Sequence, residues 1–146
     1  VVAGERTAPL HDELLELRAR LGVEDTVSFV GFREDIPELL RAMDLLLLTS
    51  AHEGFSLVAV QAMATGLPVV ATRCGGPEEI LTDGVDGILC PVADADALAS
   101  ALLALRADPS RRERMGREGR RSAEERFSLR AMVGRYEALY REALGG

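Results

Sequence analysis

Short apolar runs and helical segments alternate along the first part of the chain. The runs fall at Val1–Ala3, Val27–Val30, Leu45–Thr49, Val69–Thr72 and Gly87–Cys90. They are rich in valine and leucine and do not alternate strictly with polar residues, so they predict strands buried on both faces of a parallel sheet. Thr7, Ala8 and Pro9 lead into Leu10, Leu14, Leu17 and Leu21, which recur at helical spacing until Gly22 ends that helix. Asp35 is placed to cap a short helix through Ile36, Leu39, Leu40 and Met43, with Pro37 tolerated in its first turn. A third helix runs from about Ser56 to Ala64 and stops at Gly66, and Gly76 to Leu81 reads as a short fourth. Beyond Cys90 the pattern is all helical. Asp94 opens a helix with Leu98, Leu102 and Leu105 on one face, and Ser110, following Pro109, opens an arginine-rich helix to about Arg126. Ser128 opens a last helix carrying Met132, Val133, Tyr136, Leu139 and Tyr140. The alternation predicts an α/β fold: one open, doubly wound, mostly parallel sheet with helices on both faces, followed by a helical region over 94–146. Ligands of such sheets lie at the carboxyl ends of the strands. That singles out the loops Gly4–Thr7, Gly31–Glu34, Ser50–Phe55 and Arg73–Gly76.

The stretch from Ser50 to Ala71 reads as strand end, loop, helix, glycine stop and next strand. Its helix is apolar on all sides, which predicts burial all round. A helix N-terminus at the carboxyl edge of a sheet offers free N–H groups and a positive dipole end, an arrangement suited to a phosphate. Gly54 lets a ligand approach the backbone closely. Glu53 precedes the helix and Gln61 lies within it, about 8 Å along from Ser56 at the helical rise. A buried glutamine needs partners for its amide. A diphosphate on the helix end would place one substituent near Glu53 and the other near Gln61, a layout that a nucleotide sugar satisfies through its sugar and ribose hydroxyls.

Composition narrows the partners. The 146 residues include 24 acidic and 17 basic side chains, every basic one an arginine, for a formal net charge of −7. An acidic chain without lysine is a poor candidate for nucleic-acid binding. No apolar run approaches a membrane span, no signal-peptide pattern is expected, and Cys74 and Cys90 lack the close pairing of a zinc site. With only two thiols, expected to be unreactive, a reducing cytoplasm is the expected compartment. The arginines between Arg106 and Arg126 are interleaved with glutamates and read as a solvated helix with i,i+4 pairs. The chain opens on an apolar run without a methionine and reads as a piece of something longer.

The whole chain resembles the C-terminal, donor-binding domain of retaining GT-B glycosyltransferases, glycosyltransferase family 4 (group 1). The family pattern S-x-x-E-G-F-G-L-x-x-x-E-A-M-A-x-G-x-P-V-V-A, followed by G-G-x-x-E, is met by Ser50, Glu53-Gly54-Phe55, Leu57, Ala62-Met63-Ala64, Gly66, Pro68-Val69-Val70-Ala71, Gly75-Gly76 and Glu79. Val1 to Gly4, Val27 to Gly31, Asp83-Gly84 to Leu89 and Phe127-Ser128 resemble further family segments. The resemblance implies a Rossmann-like domain that binds a nucleoside-diphosphate sugar and transfers the sugar to an acceptor hydroxyl with retained configuration. By that resemblance Glu53 orients the transferred sugar. The backbone at Gly54, Phe55, Ser56, Leu57 and Val58 holds the diphosphate, and Gln61 takes the ribose. Gly31, Phe32, Arg33 and Gly4 complete the donor site, with Gly31 to Arg33 approaching the base. Gly75-Gly76 serves either the sugar pocket or a tight turn. Arg6 lies within nucleotide reach, though a surface role is the safer one. His52 and His11 are expected to be incidental, His11 on a polar helix face. No cofactor and no metal is expected.

Three departures qualify that reading. Gln61 stands where the family carries a second glutamate, and an amide lacks the charge that strengthens a bond to ribose hydroxyls. Ser56 replaces a common glycine. The family's opening strand, its G-R loop and the K-G helix start are missing, as is the acceptor-binding N-terminal half. Residues 1–146 therefore read as one truncated domain, with the missing half as its partner and inactive alone; any peripheral membrane association is assigned to that half. The absent strand would sit between Val1–Ala3 and Leu45–Thr49, so these strands are expected either to close directly on each other or to leave a poorly stable fold. Two alternatives stay open: a non-catalytic nucleotide-binding or interaction module, marked by Gln61, and part of a GT-B nucleotide-sugar epimerase.

Overall fold

The computed structural model describes residues 1–4, 7 and 9–145. Arg6 and Ala8, and with Glu5 and Arg6 half of the Gly4–Thr7 loop, lie outside the described residues. The chain divides into two compact units, Val1–Ile36 and Pro37–Gly146.

In the first unit, β1 (Val2–Ala3) pairs in parallel with β2 (Phe29–Gly31), Val2 opposite Phe29 and Ala3 opposite Gly31. Between them runs α1 (Leu10–Arg20), whose N-cap position is Pro9 without a side-chain cap. Gly22, at φ +64°, closes the helix: its N–H donates to Ala19 O and that of Val23 to Arg18 O. This paired closure needs a left-handed residue, which favours glycine. His11 is not on a purely polar face. It packs edge-on against Phe29 with centroids 5.5 Å apart, and Arg18 lies over the same ring while donating to Val27 O.

In the second unit, β3 (Leu46–Leu48), β4 (Val69–Thr72) and β5 (Gly87–Cys90) form a parallel sheet in the order β3-β4-β5. Val70 lies opposite Leu47 and Ile88. Val69, Val70 and Ala71 are wholly buried, as a central strand covered on both faces requires. The α/β class with parallel strands flanked by helices is as expected, but the sheet is not continuous. Strand pairing among the described residues falls into two sets, β1-β2 in the first unit and β3-β4-β5 in the second.

The helices following β2 are α2 (Ile36–Arg41), α3 (Leu57–Ala64), α4 (Gly76–Ile80), α5 (Ala95–Ala107), α6 (Pro109–Arg126) and α7 (Leu129–Ala143). Val70 and Cys90 pack with Ala101 and Leu105 of α5 and Met115 of α6 in one core cluster. Asp94 and Ser128 cap α5 and α7 as the sequence predicts, accepting from the N–H groups of Ala97 and Ala131. For α6 the cap is Asp108, which accepts from Arg111 N–H and leaves Pro109 as the first helical residue. The arginine-rich α6 is solvated on one face only. Met115, Gly116, Gly119 and Ala123 form a buried seam, and a Cβ on Gly116 would stand 2.0 Å from Gly66 O. Its exposed face carries the expected pairs, Arg120 with Glu124 at 2.9 Å and Arg117 with Glu113 at 3.9 Å.

The helix α3 is not buried all round. Ala59, Ala62 and Met63 are enclosed, whereas Leu57, Gln61 and Ala64 face outward, Leu57 being 69% exposed. Three residues spaced i, i+4 and i+7 share one helix face, so this side of an apolar helix stands open.

Candidate functional site

The site is built at the carboxyl end of β3. Thr72, buried at the end of β4, donates from Oγ1 to Ser50 O at 2.6 Å and ties the outgoing loop to the central strand. Ser50 Oγ then donates to Glu53 Oε2 at 3.0 Å, which fixes the direction of a half-buried carboxylate. The backbone of Glu53 is clamped as well: its N–H donates to Cys74 O at 3.2 Å and its carbonyl accepts from Gly76 N–H at 2.9 Å, making a short parallel bridge to Gly75.

This clamp explains the paired glycines. A Cβ on Gly76 would lie 1.6 Å from Gly54 O, and Gly75, at φ +107°, has Glu53 O 3.0 Å from where its Cβ would stand. The pair therefore serves close backbone contact between two loops. Gly54 is different. It is exposed, and a Cβ there would meet nothing within 4 Å, so no internal contact demands a glycine.

The loop runs into α3 with Ser56 as N-cap (φ −81°, ψ 92°). Its side chain makes no capping bond, and the first turn carries no acidic residue. The N–H groups of Leu57, Val58 and Ala59 have no acceptor among the described residues, as first-turn amides lack helical partners. Phe55 reaches sideways to Phe127, edge to face at 5.7 Å, and the Arg126 guanidinium lies 4.7 Å from the Phe127 ring centre. Arg126 also donates to Ile80 O at 2.9 Å and Glu79 O at 2.6 Å, closing the end of α4. Glu78, not Glu79, folds its carboxylate back to accept from Gly75 N–H at 3.0 Å. Arg126 and Phe127 thus brace the Glu53–Ser56 loop from the far end of α6. The sequence signals Phe127 through its place before the Ser128 cap and its part in the Phe127-Ser128 family resemblance, but not its contact with Phe55.

Glu53, Gly54, Phe55, Ser56, Leu57 and Val58 come together in this second unit. Gln61 lies one turn further along, and it is exposed, not buried, so its amide needs no internal partner. Gly4, Gly31, Phe32 and Arg33 lie in the first unit. There Gly4 N–H donates to Gly31 O at 3.0 Å, and Gly31 adopts φ +71°. Phe32 is exposed, and Arg33 grips Asp35 through Nε at 2.7 Å and Nη2. That hydrogen bond draws the Asp35 carboxyl below its ordinary value and lifts the guanidinium above its own. A cleft of about 160 Å³ in this unit is lined by Gly4, Thr7, His11, Phe29 and Gly31, among others. Elsewhere His52 is exposed, and Cys74 and Cys90 are free thiols. Burial first, then the Asp83 and Asp94 carboxylates, push the Cys90 thiol up.

Comparison with known proteins places these features. Residues 1–108 match the family described as "Glycosyl transferases group 1". The chain is 38% identical over 131 residues to N-acetyl-alpha-D-glucosaminyl L-malate synthase of Bacillus anthracis, covering 90% of this chain and 34% of that one. It is 43% identical over 104 residues to a D-inositol 3-phosphate glycosyltransferase of Kribbella flavida, covering 70% and 24%. The crystal structure of Anabaena Alr3699/HepE in complex with UDP superposes with a TM-score of 0.89 at 32% identity, covering 96% of this chain and 40% of that one. The same protein in complex with UDP-glucose gives 0.86 at 34% identity, covering 94% and 39%. The chain thus spans about a third of the first relative's length and 40% of the first structural neighbour's.

Proposed function

Since this chain belongs to the glycosyl transferases group 1 family, we propose that it is the donor-binding domain of a retaining GT-B glycosyltransferase of the family 4 type. It takes a nucleoside-diphosphate sugar, and the parent enzyme passes the sugar to an acceptor hydroxyl. The observation that carries this reading is the open N-terminus of α3 beside an oriented carboxylate: free amides at Leu57, Val58 and Ala59 next to Glu53, which Ser50 holds in place. UDP and UDP-glucose in the Anabaena complexes make a uridine donor the first one to try.

In this reading the α3 amides take the diphosphate and stabilise the charge that develops on it as the sugar leaves, since preorganised donors act where charge builds up. Glu53, touching the sugar, is the catalytic residue and orients it. Gly54 keeps the approach open, consistent with the absence of any internal need for glycine there. Gln61, on the exposed face of α3, is free to meet the ribose. By the family resemblance, Gly4, Gly31, Phe32 and Arg33 contact the nucleotide. No metal or cofactor enters the reaction, which runs in the cytoplasm. Residues 1–146 act as one domain with the helical region 94–146, and the acceptor is bound by another half of a longer parent, so the isolated chain binds donor without transferring sugar.

Calorimetric titration with UDP and UDP-glucose tests the reading. The wild-type chain binds both; Glu53→Gln weakens UDP-glucose and leaves UDP unchanged, because only the sugar meets Glu53. Equal loss for both ligands, or no saturable binding by the wild type, contradicts it. Gln61 favours the non-catalytic module as a second reading. A parent enzyme that binds donor but turns over only as Gln61→Glu would support that module.

A further inference from the structure

Among the described residues five helices follow a side chain able to cap them, those of Asp35, Ser56, Asp94, Asp108 and Ser128, and Asp35 is taken up by Arg33 instead. Asp94, Asp108 and Ser128 each accept a hydrogen bond from the third residue of their helix. Ser56 does not, although serine is among the best N-caps. Its Oγ is nevertheless shut away: the residue is 1% exposed and the oxygen has no hydrogen-bond partner among the described residues. A buried hydroxyl without a partner is unfavourable, and native chains rarely tolerate one without a reason. The first turn it precedes also has three unmet N–H groups and no acidic side chain to balance the dipole. An unsatisfied donor and an unsatisfied helix end thus meet at one residue, and both ask for an anion.

We propose that the Ser56 hydroxyl is itself a ligand of the bound diphosphate, donating a hydrogen bond to a phosphate oxygen seated on the α3 amides. The inference deepens the donor-site reading and rests on it. The reach is local. A serine at an N-cap has staggered χ1 positions, one of which brings its oxygen over the first-turn amides, where an ordinary cap would sit. A phosphate oxygen there replaces the missing capping interaction with a charge-assisted one, which is the stronger kind. Exclusion of bulk water from the hydroxyl strengthens the bond further. Where related chains commonly carry glycine at this position, the amides alone must hold the phosphate; here a side-chain donor is added.

The test compares wild type, Ser56→Ala and Ser56→Gly by calorimetric titration with UDP and with inorganic pyrophosphate, alongside thermal unfolding without ligand. Ser56→Ala is expected to bind both probes about ten- to 150-fold more weakly, the scale of one hydrogen bond to a charged group. Its thermal midpoint is expected to equal or exceed that of wild type, because an unpartnered buried hydroxyl has been removed. Weaker binding with unchanged or higher stability is a combination that a structural role would not give. Affinity equal to wild type overturns the inference and leaves the donor reading standing. Lower affinity accompanied by a lower midpoint overturns it too, by showing the hydroxyl to be structural. Should Ser56→Ala not fold, Ser56→Gly is judged by the same criteria, and failure of both to fold also counts against the inference. Absence of wild-type binding to either probe sinks the donor reading itself.

Discussion

Adding one methyl group at Gly76 is expected to do more damage than adding one at Gly54, although the two residues touch. In Gly76→Ala the new Cβ would stand 1.6 Å from Gly54 O and 2.6 Å from Gly54 C. Both are backbone atoms, so no side chain can turn aside. Bringing the nearest contact out to 3.0 Å parts the two loops by about 1.4 Å (3.0 less 1.6). The Gly76 N–H to Glu53 O bond, now 2.9 Å, and the Glu53 N–H to Cys74 O bond, now 3.2 Å, would then lie beyond hydrogen-bonding range. Overpacking of this kind costs about 1–3 kcal/mol, and each lost hydrogen bond adds about 0.5–1.5 kcal/mol. A loss of about 3 kcal/mol follows, a large share of the stability of an ordinary domain and worth about 6–12 °C in midpoint at this chain length. Urea titration followed by circular dichroism measures it. Gly54→Ala meets nothing within 4 Å and should stay within about 0.5 kcal/mol of wild type, while UDP binding falls because a methyl group stands in the ligand's approach. A Gly76→Ala chain as stable as wild type would refute the clamp. A Gly54→Ala chain with unchanged UDP affinity would refute the role given to the open glycine.

Three further perturbations test other parts of the structure. Asp86 is buried and accepts from Thr82 N–H at 2.6 Å and Ser122 Oγ at 2.7 Å; Asp86→Ala strands both donors and should cost about 2–4 kcal/mol in urea unfolding, with Ser122→Ala adding less in the double variant than alone. Phe127→Ala removes the ring against Phe55 and the seat of Arg126; it should weaken UDP binding several-fold with a stability loss no larger than about 3–5 kcal/mol, whereas undiminished affinity would mean that α6 does not brace the loop. Cys90 is buried and that burial pushes its thiol up, whereas Cys74 is only half-buried. A thiol reagent at pH 8 should therefore modify Cys74 first and reach Cys90 only on unfolding. The sign follows from a raised folded value: the contribution of that thiol to stability is present at lower pH and fades as pH rises through the folded value.

What the sequence made legible was local. The strands Val69–Thr72 and Gly87–Cys90 match their expected bounds because each is a buried apolar run closed by turn residues. Asp94 and Ser128 announced their helices because a cap acts within three residues. Asp108 was hidden behind Pro109-Ser110, where serine looked the better start; the proline belongs inside the helix because its missing N–H would have been unpaired anyway. The helix Leu57–Ala64 misled for another reason. Apart from Gln61 every position is apolar, and a single polar residue sets no period to show which face is covered, so exposed Leu57 could not be told from buried Met63. Contacts between distant residues left no pattern at all: Phe55 with Phe127, Asp86 with Ser122, and Gly76 against Gly54 are settled by packing. The glutamate and the helix start were readable, and the clamp and brace that hold them were not.

Donor binding by this chain turns on whether a nucleoside diphosphate seats on the N-terminus of α3. Titrating isotope-labelled protein with UDP while following backbone amide resonances tests this directly. Saturable shifts centred on Leu57, Val58 and Ala59, and weakened by Ser56→Ala, are the expected result. Saturable binding that leaves these three amides unmoved, or no binding, would contradict it.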